Sequence, residues 1–221
     1  MGMNTGSYED TRRGARRRNP GRGAARVRVP ARPAMRINGL SYRDVAALLR
    51  DLRREEGVEA RAMEFIVLTA CLVSEACLAV WSEFDLHARV WTIPAERSKS
   101  GRVHRIPLSD EAIAVLEQVR GCDPTWVFPG AAQARAGYPA FRGLLERLGY
   151  PAFAMRASRT TFRKWAAKRP QHAEVAVALC LGHAWEPMLP LIAARVPDRF
   201  DACRALMEDW GQWCATAQHG A

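Results

Sequence analysis

A chain of 221 residues, 48% hydrophobic and 25% charged, has the composition of an ordinary globular domain with room for a sizeable core. No stretch of eighteen apolar residues occurs, because Glu64, Glu75 and Glu83 interrupt the most apolar region, so no membrane span or membrane partner is predicted and a cytoplasmic protein is expected. Most of the net charge of +10 lies in residues 1–36, which hold ten arginines against Glu9 and Asp10 and leave only +2 for the remainder.

That distribution predicts two parts, a disordered basic arm over 1–36 and one folded domain over 37–221. Arg12, Arg13, Arg16, Arg17 and Arg18, followed by Arg22, Arg26, Arg28, Arg32 and Arg36, stand among Gly, Pro and Ala without an apolar period. Such an arm attracts phosphate backbones without sequence preference and with strong salt dependence. A functionless peptide from a GC-rich reading frame is the competing reading. A transit peptide would need an amphipathic apolar face, which the arm lacks.

In chain order, Ser41 and Asp44 form a capping box ahead of a helix whose apolar face is Val45, Leu48, Leu49 and Leu52, with Gly57 expected as its C-terminal glycine. A second helix, Val58 to Ala70, places Met63, Phe65, Ile66 and Leu68 in the core, and Ser74 caps a third helix reaching about Trp81. From Phe84 the pattern turns to strands at Asp85-Leu86, Val90 to Pro94 and Val103 to Pro107, with Glu96 to Arg102 as a hairpin loop. Ser109 caps a helix from Asp110 to Arg120, and Trp126 to Gly130 reads as a short strand or turn. Helices follow near Ala140 to Leu148, Ser158 to Lys168, His172 to Leu181 and Arg199 to Cys214. The expected class is α+β, mainly α, with a small antiparallel sheet.

Cys71, Cys77, Cys122, Cys180, Cys203 and Cys214 form no CxxC pair, and the five histidines lack ligand spacing, so buried free thiols, no disulfide scaffold and no metal are expected.

Several segments, in order, resemble the catalytic domain of tyrosine recombinases, the phage integrase family, and most closely the integrases of bacterial genomic islands. Phe65 to Thr69 with Ser74-Glu75 and Trp81 to Asp85 is similar to the family's first box. WTIPAERSKSGRVHRIPLS resembles its lysine-bearing hairpin, SRTTFRKWAA its second box, Leu181-Gly182-His183 its third, and CRALMEDWGQWC the C-terminal helix of the island integrases. The resemblance covers roughly residues 41–216. Where the family carries a helical core-binding domain, this sequence has the arginine arm.

The resemblance implies phosphoryl transfer on double-stranded DNA, with no cofactor and no small-molecule substrate. In the family a tyrosine attacks the scissile phosphate, two arginines neutralise its nonbridging oxygens, a hairpin lysine protonates the leaving oxygen, and histidines assist. Residue by residue, the retained positions are Lys99, Arg159 and His183. The first arginine's place falls on Leu72, the second-box histidine's on Arg156, and the nucleophile's on Ala194, or Ala193 with a one-residue insertion. No tyrosine follows Tyr150, and Pro187, Pro190 and Pro197 would kink the helix that presents one.

These departures imply an integrase-family domain that no longer cleaves strands, a truncated remnant whose Lys99, Arg156, Arg159 and His183 still contact the DNA backbone with the arm's help. Tyrosine donation in trans would rescue Ala194 but not Leu72. The alternative is a noncatalytic DNA-binding accessory or regulator of an active integrase, acting with that partner or as a homo-oligomer on DNA.

Overall fold

Ser41 opens the first helix, as its capping pattern predicts: its Oγ accepts from Arg43 N (3.3 Å) and Asp44 Oδ2 accepts from Ser41 N (3.2 Å). The computed structural model describes residues 41–130, 137–151, 153, 157–172, 174–183 and 199–216. The arm over 1–36, Arg156 and Ala194 lie outside them.

Helices α1 (Tyr42–Arg54), α2 (Val58–Thr69) and α3 (Val73–Cys77) lead into strands β1 (Phe84–Asp85), β2 (Val90–Ile93) and β3 (His104–Pro107). The chain then forms α4 (Asp110–Val119), α5 (Gly137–Arg147), α6 (Ala157–Ala166), α7 (Glu174–Cys180) and α8 (Arg199–Thr216). The described residues are therefore mainly helical with one antiparallel sheet in the order β1-β2-β3, the expected class.

At the centre lies α2. Every residue from Ala60 to Thr69 is buried, and α1, α4, α5 and α8 all pack against it. This total burial explains why its sequence shows little amphipathic period: a helix enclosed on every side has no polar face to display. Phe65 stands at the middle of a ring cluster, 5.5 Å from Trp91 and 5.4 Å from Phe128 between centroids, which ties α2 to the sheet.

Several boundaries differ from expectation, each for a local reason. Gly57 does not close α1, which ends at Glu55 in extended backbone; with φ +104 it is the N-cap of α2. Its freedom at positive φ serves the tight link between the two helices. Ser74 is not a cap either. Helix α3 begins two residues earlier, with Leu72 as its N-cap, because Glu75 turns its carboxylate back to accept from Leu72 N at 2.8 Å, half of a capping box in which leucine has no acceptor to offer. That helix stops at Cys77, and Trp81 belongs to a short 3-10 turn.

The first strand is Phe84–Asp85 rather than Asp85-Leu86, and Trp126 makes only an isolated bridge to Val80. Helix α7 starts two residues later than His172, whose imidazole instead meets Asp209 at 2.7 Å. Among the cysteines, Cys122 is exposed, contrary to the expected burial of all six.

The C-terminal helix completes the core. Trp210 of α8 donates to Val67 O (3.0 Å) and packs edge-on against Trp165 of α6 at 5.0 Å. Gly211 lies against the start of α4 so closely that an added Cβ would stand 2.6 Å from Ser109 Oγ and 2.8 Å from Ser109 Cβ. Ser109 is the α4 N-cap, its hydroxyl accepting from Ala112 N at 3.3 Å. Gly211→Ala therefore sets a gain of about 1 kcal/mol in helix propensity against overpacking of roughly 1–3 kcal/mol. The expected outcome in thermal unfolding is a net loss, with the midpoint falling by roughly 2–4 °C for each kcal/mol.

Candidate functional site

Four segments converge on one cleft of about 510 Å³: the start of α3, the loop between β2 and β3, the first two turns of α6, and the turn after α7. Each is positioned by its own local chemistry.

The hairpin is registered by Val90 opposite Pro107 and Ile93 opposite His104. Its loop is anchored next to Lys99 on one side. Arg97 grips both carboxylate oxygens of Glu83, and its third contact is Nη1 to Glu75 O at 3.2 Å. Ser98 is buried, with its hydroxyl 3.0 Å from Ser100 Oγ. The anchored stem leaves Lys99 exposed at the cleft with no hydrogen bond or ion pair among the described residues.

The third-box triplet is a helix ending. Gly182 N donates to Leu179 O (2.9 Å) and His183 N to Ala178 O (3.0 Å), the crossed pair of a Schellman motif. Gly182 has φ +61, and a Cβ there would sit 3.0 Å from the His104 ring. Glycine is thus required twice, by the backbone and by the imidazole packed on it. The motif delivers His183 to the rim, where Nε2 lies 3.2 Å from Arg159 Nη2.

Arg159 falls inside the first turn of α6 and is half-buried. Its Nη1 donates to Ala70 O (3.3 Å) and its Nη2 to Leu181 O. Phe162 and Trp165, both fully buried, fix the helix face. Leu72 lines the cleft, its backbone N held by Glu75, so an apolar side chain occupies the position where the resemblance places an arginine.

The electrostatics follow from this crowding. His183 is pushed below its ordinary pKa, first by desolvation and then by Arg159, Arg163, His104 and Lys99. A neutral ring with Nε2 accepting from Arg159 fits that shift. His104 is also lowered, mainly by burial, with Arg159 adding to the effect and Glu75 opposing it. Its Nε2 is buried and has no partner among the described residues.

Lys99, Arg159 and His183 are therefore brought together, while Arg156, Ala194 and the arm arginines Arg12, Arg13, Arg16, Arg17 and Arg18 lie outside the described residues. Sequence reasoning missed three cleft residues: Glu75, His104 and Arg163. Arg163 was legible, because it stands four residues after Arg159 and so on the same helix face. Glu75 could have been found as the acid three residues after Leu72. Among the described residues no cluster of three or more potential metal ligands occurs, and no helix is long and apolar enough to cross a membrane.

The sequence profile of the phage integrase family matches residues 39–184, a span that contains the hairpin, α6 and the Leu-Gly-His turn. The chain belongs to the phage integrase family, and its described fold is that of a tyrosine recombinase catalytic domain. Among curated relatives in Escherichia coli K12, it is 32% identical to prophage integrase IntZ over 124 residues, 54% of this chain and 31% of that protein. It is 46% identical to prophage integrase IntA over 54 residues, 24% of this chain and 13% of the relative. The chain thus spans less than a third of the length of either.

Both cleft histidines have folded-state pKa values below those of the unfolded chain, so acid favours the unfolded state, which binds more protons. Their linkage is absent above an unfolded value of about 6.5 and grows as pH falls from there toward the folded pKa values. The expected outcome is a thermal midpoint that declines as pH drops below that point. NMR titration should show the His104 and His183 ring signals moving at lower pH than a model histidine.

Proposed function

We propose that this domain binds the backbone of double-stranded DNA through the cleft and does not cleave it. Leu72 carries the reading. Lys99, Arg159, Arg163 and His183 line the cleft, but Leu72 lines it with hydrocarbon at the place where the resemblance calls for a guanidinium against transition-state charge.

Removing one transition-state donor costs on the order of 10²- to 10³-fold in rate. The phenol is lacking as well: the stretch after His183 contains no tyrosine, and Ala194 holds the matching place. Loss of the nucleophile removes the covalent route rather than slowing it. Backbone binding is far less demanding, since it needs only cations placed along a phosphate track. The arginine arm adds salt-sensitive attraction of the same kind, and integration by a partner enzyme would then use this domain as a DNA-bound accessory.

A nicked suicide duplex separates binding from chemistry. The intact chain is expected to shift the duplex under native conditions and to leave no protein–DNA adduct after heating in detergent. A heat- and detergent-stable shifted band would overturn the inactive reading.

A further inference from the structure

Two thiols that the cleft does not use lie where α7 packs on α8, and each points at the other's helix. Cys180 Sγ donates to Cys203 O at 3.8 Å, and Cys203 Sγ donates to Ala176 O at 3.5 Å. Ala176 stands one turn before Cys180 on α7, so the Cys203 sulfur sits beside the turn that ends in Cys180. The thiol and the backbone N–H of Cys180 are both within hydrogen-bonding reach of that sulfur. A disulfide requires close approach of two backbones, and these interlocked contacts supply it. Both side chains are buried free thiols.

The two sulfurs differ in access and in acidity. Cys203 lines a cavity of about 410 Å³ together with Val103, Leu179 and Phe200, and Val103 at its edge is exposed. Cys180 has no exposed surface and does not line that cavity. A hydrogen bond with the Cys180 thiol draws Cys203 below the ordinary thiol range, whereas burial pushes Cys180 well above it. Cys71, Cys77 and Cys214 are each raised by burial as well.

We propose that Cys203 and Cys180 are a redox-modifiable dithiol, which a small aliphatic disulfide converts to a covalent bond between α8 and α7, with Cys203 attacking first and Cys180 resolving. The Cys203 thiolate, its proton lost to solvent, attacks one sulfur of the reagent. The reagent's S–S bond breaks, and the released thiolate takes up a proton. Cys180 then loses its proton and attacks the Cys203 sulfur of the mixed disulfide, expelling the second half of the reagent as another thiol. Two protein thiols are oxidised to one disulfide, and the reagent is reduced to two thiols. The bond joins residues 23 positions apart and fastens to α8 the helix end that carries Leu181 O and His183.

The test uses the full chain with Cys122→Ser, which removes the exposed thiol, and hydroxyethyl disulfide as the oxidant. The folded chain is treated, its remaining thiols are alkylated on unfolding, and its peptides are mapped by mass. The expected product is a peptide pair linked through Cys180 and Cys203, lighter by two hydrogens than the separate peptides. The thermal midpoint should rise by several degrees and return on treatment with a dithiol. Cys180→Ser should stop the reaction at a mixed disulfide on Cys203, and Cys203→Ser should leave Cys180 unmodified.

Recovery of Cys180 and Cys203 as unoxidised thiols from the treated chain would overturn the proposal, as would a bond from either one to Cys71, Cys77 or Cys214. A reagent adduct on Cys180 in the Cys203→Ser chain would contradict the assigned order of attack. The linkage is read in the chain that keeps both cysteines and does not depend on either variant folding.

Discussion

The arrangement of the cleft depends on one guanidinium shared among three segments. Arg159 reaches from α6 to the carbonyl that ends α2, to the carbonyl that ends α7, and to the imidazole of His183. Hydrogen bonds from a charged donor are worth about 1.5–3 kcal/mol each, and these join elements far apart in sequence. Ala70, in left-handed backbone at φ +50, turns its carbonyl out of the α2 ladder. Leu181 offers its own at the Schellman turn. Both helix ends leave orphan carbonyls that need a donor, and a planar fork reaches both.

From that constraint the electrostatics of the cleft follow. Holding Arg159 beside His183, with His104 below and Lys99 and Arg163 on the flanks, makes a site in which a proton on the imidazole is repelled. The same repulsion is an attraction for an anion, and a phosphate that entered would relieve it. His104 serves the turn rather than the opening: its ring lies under Gly182 and leaves no room for a side chain there. His104 thus fills the space beneath the turn, while Arg159, Arg163 and Lys99 set the charge around His183.

Much of this was legible in the sequence because each piece is local. The Ser41 and Ser109 caps, the apolar face of α1, the hairpin around Lys99 and the Leu-Gly-His triplet are fixed by neighbours within a few residues. Errors arose where a local signal had two meanings. Gly57 was legible as a glycine at a helix boundary, but not as the beginning of α2 rather than the end of α1. Ser74 looked like a cap, yet Glu75 reaching back to Leu72 started α3 sooner. The partners of Arg159 were hidden for another reason: they are carbonyls at residues 70 and 181, far away in sequence, and no periodicity reports them.

The central claim is that phosphate enters the cleft itself, whatever the arginine arm contributes, and His183 reports on this directly. Its ring signals can be titrated by NMR in the full chain with and without a short duplex. A phosphate held in the cleft should offset the repulsion on the imidazole and raise its pKa on addition of DNA. DNA binding that leaves the His183 titration unmoved would place the backbone elsewhere and contradict the account.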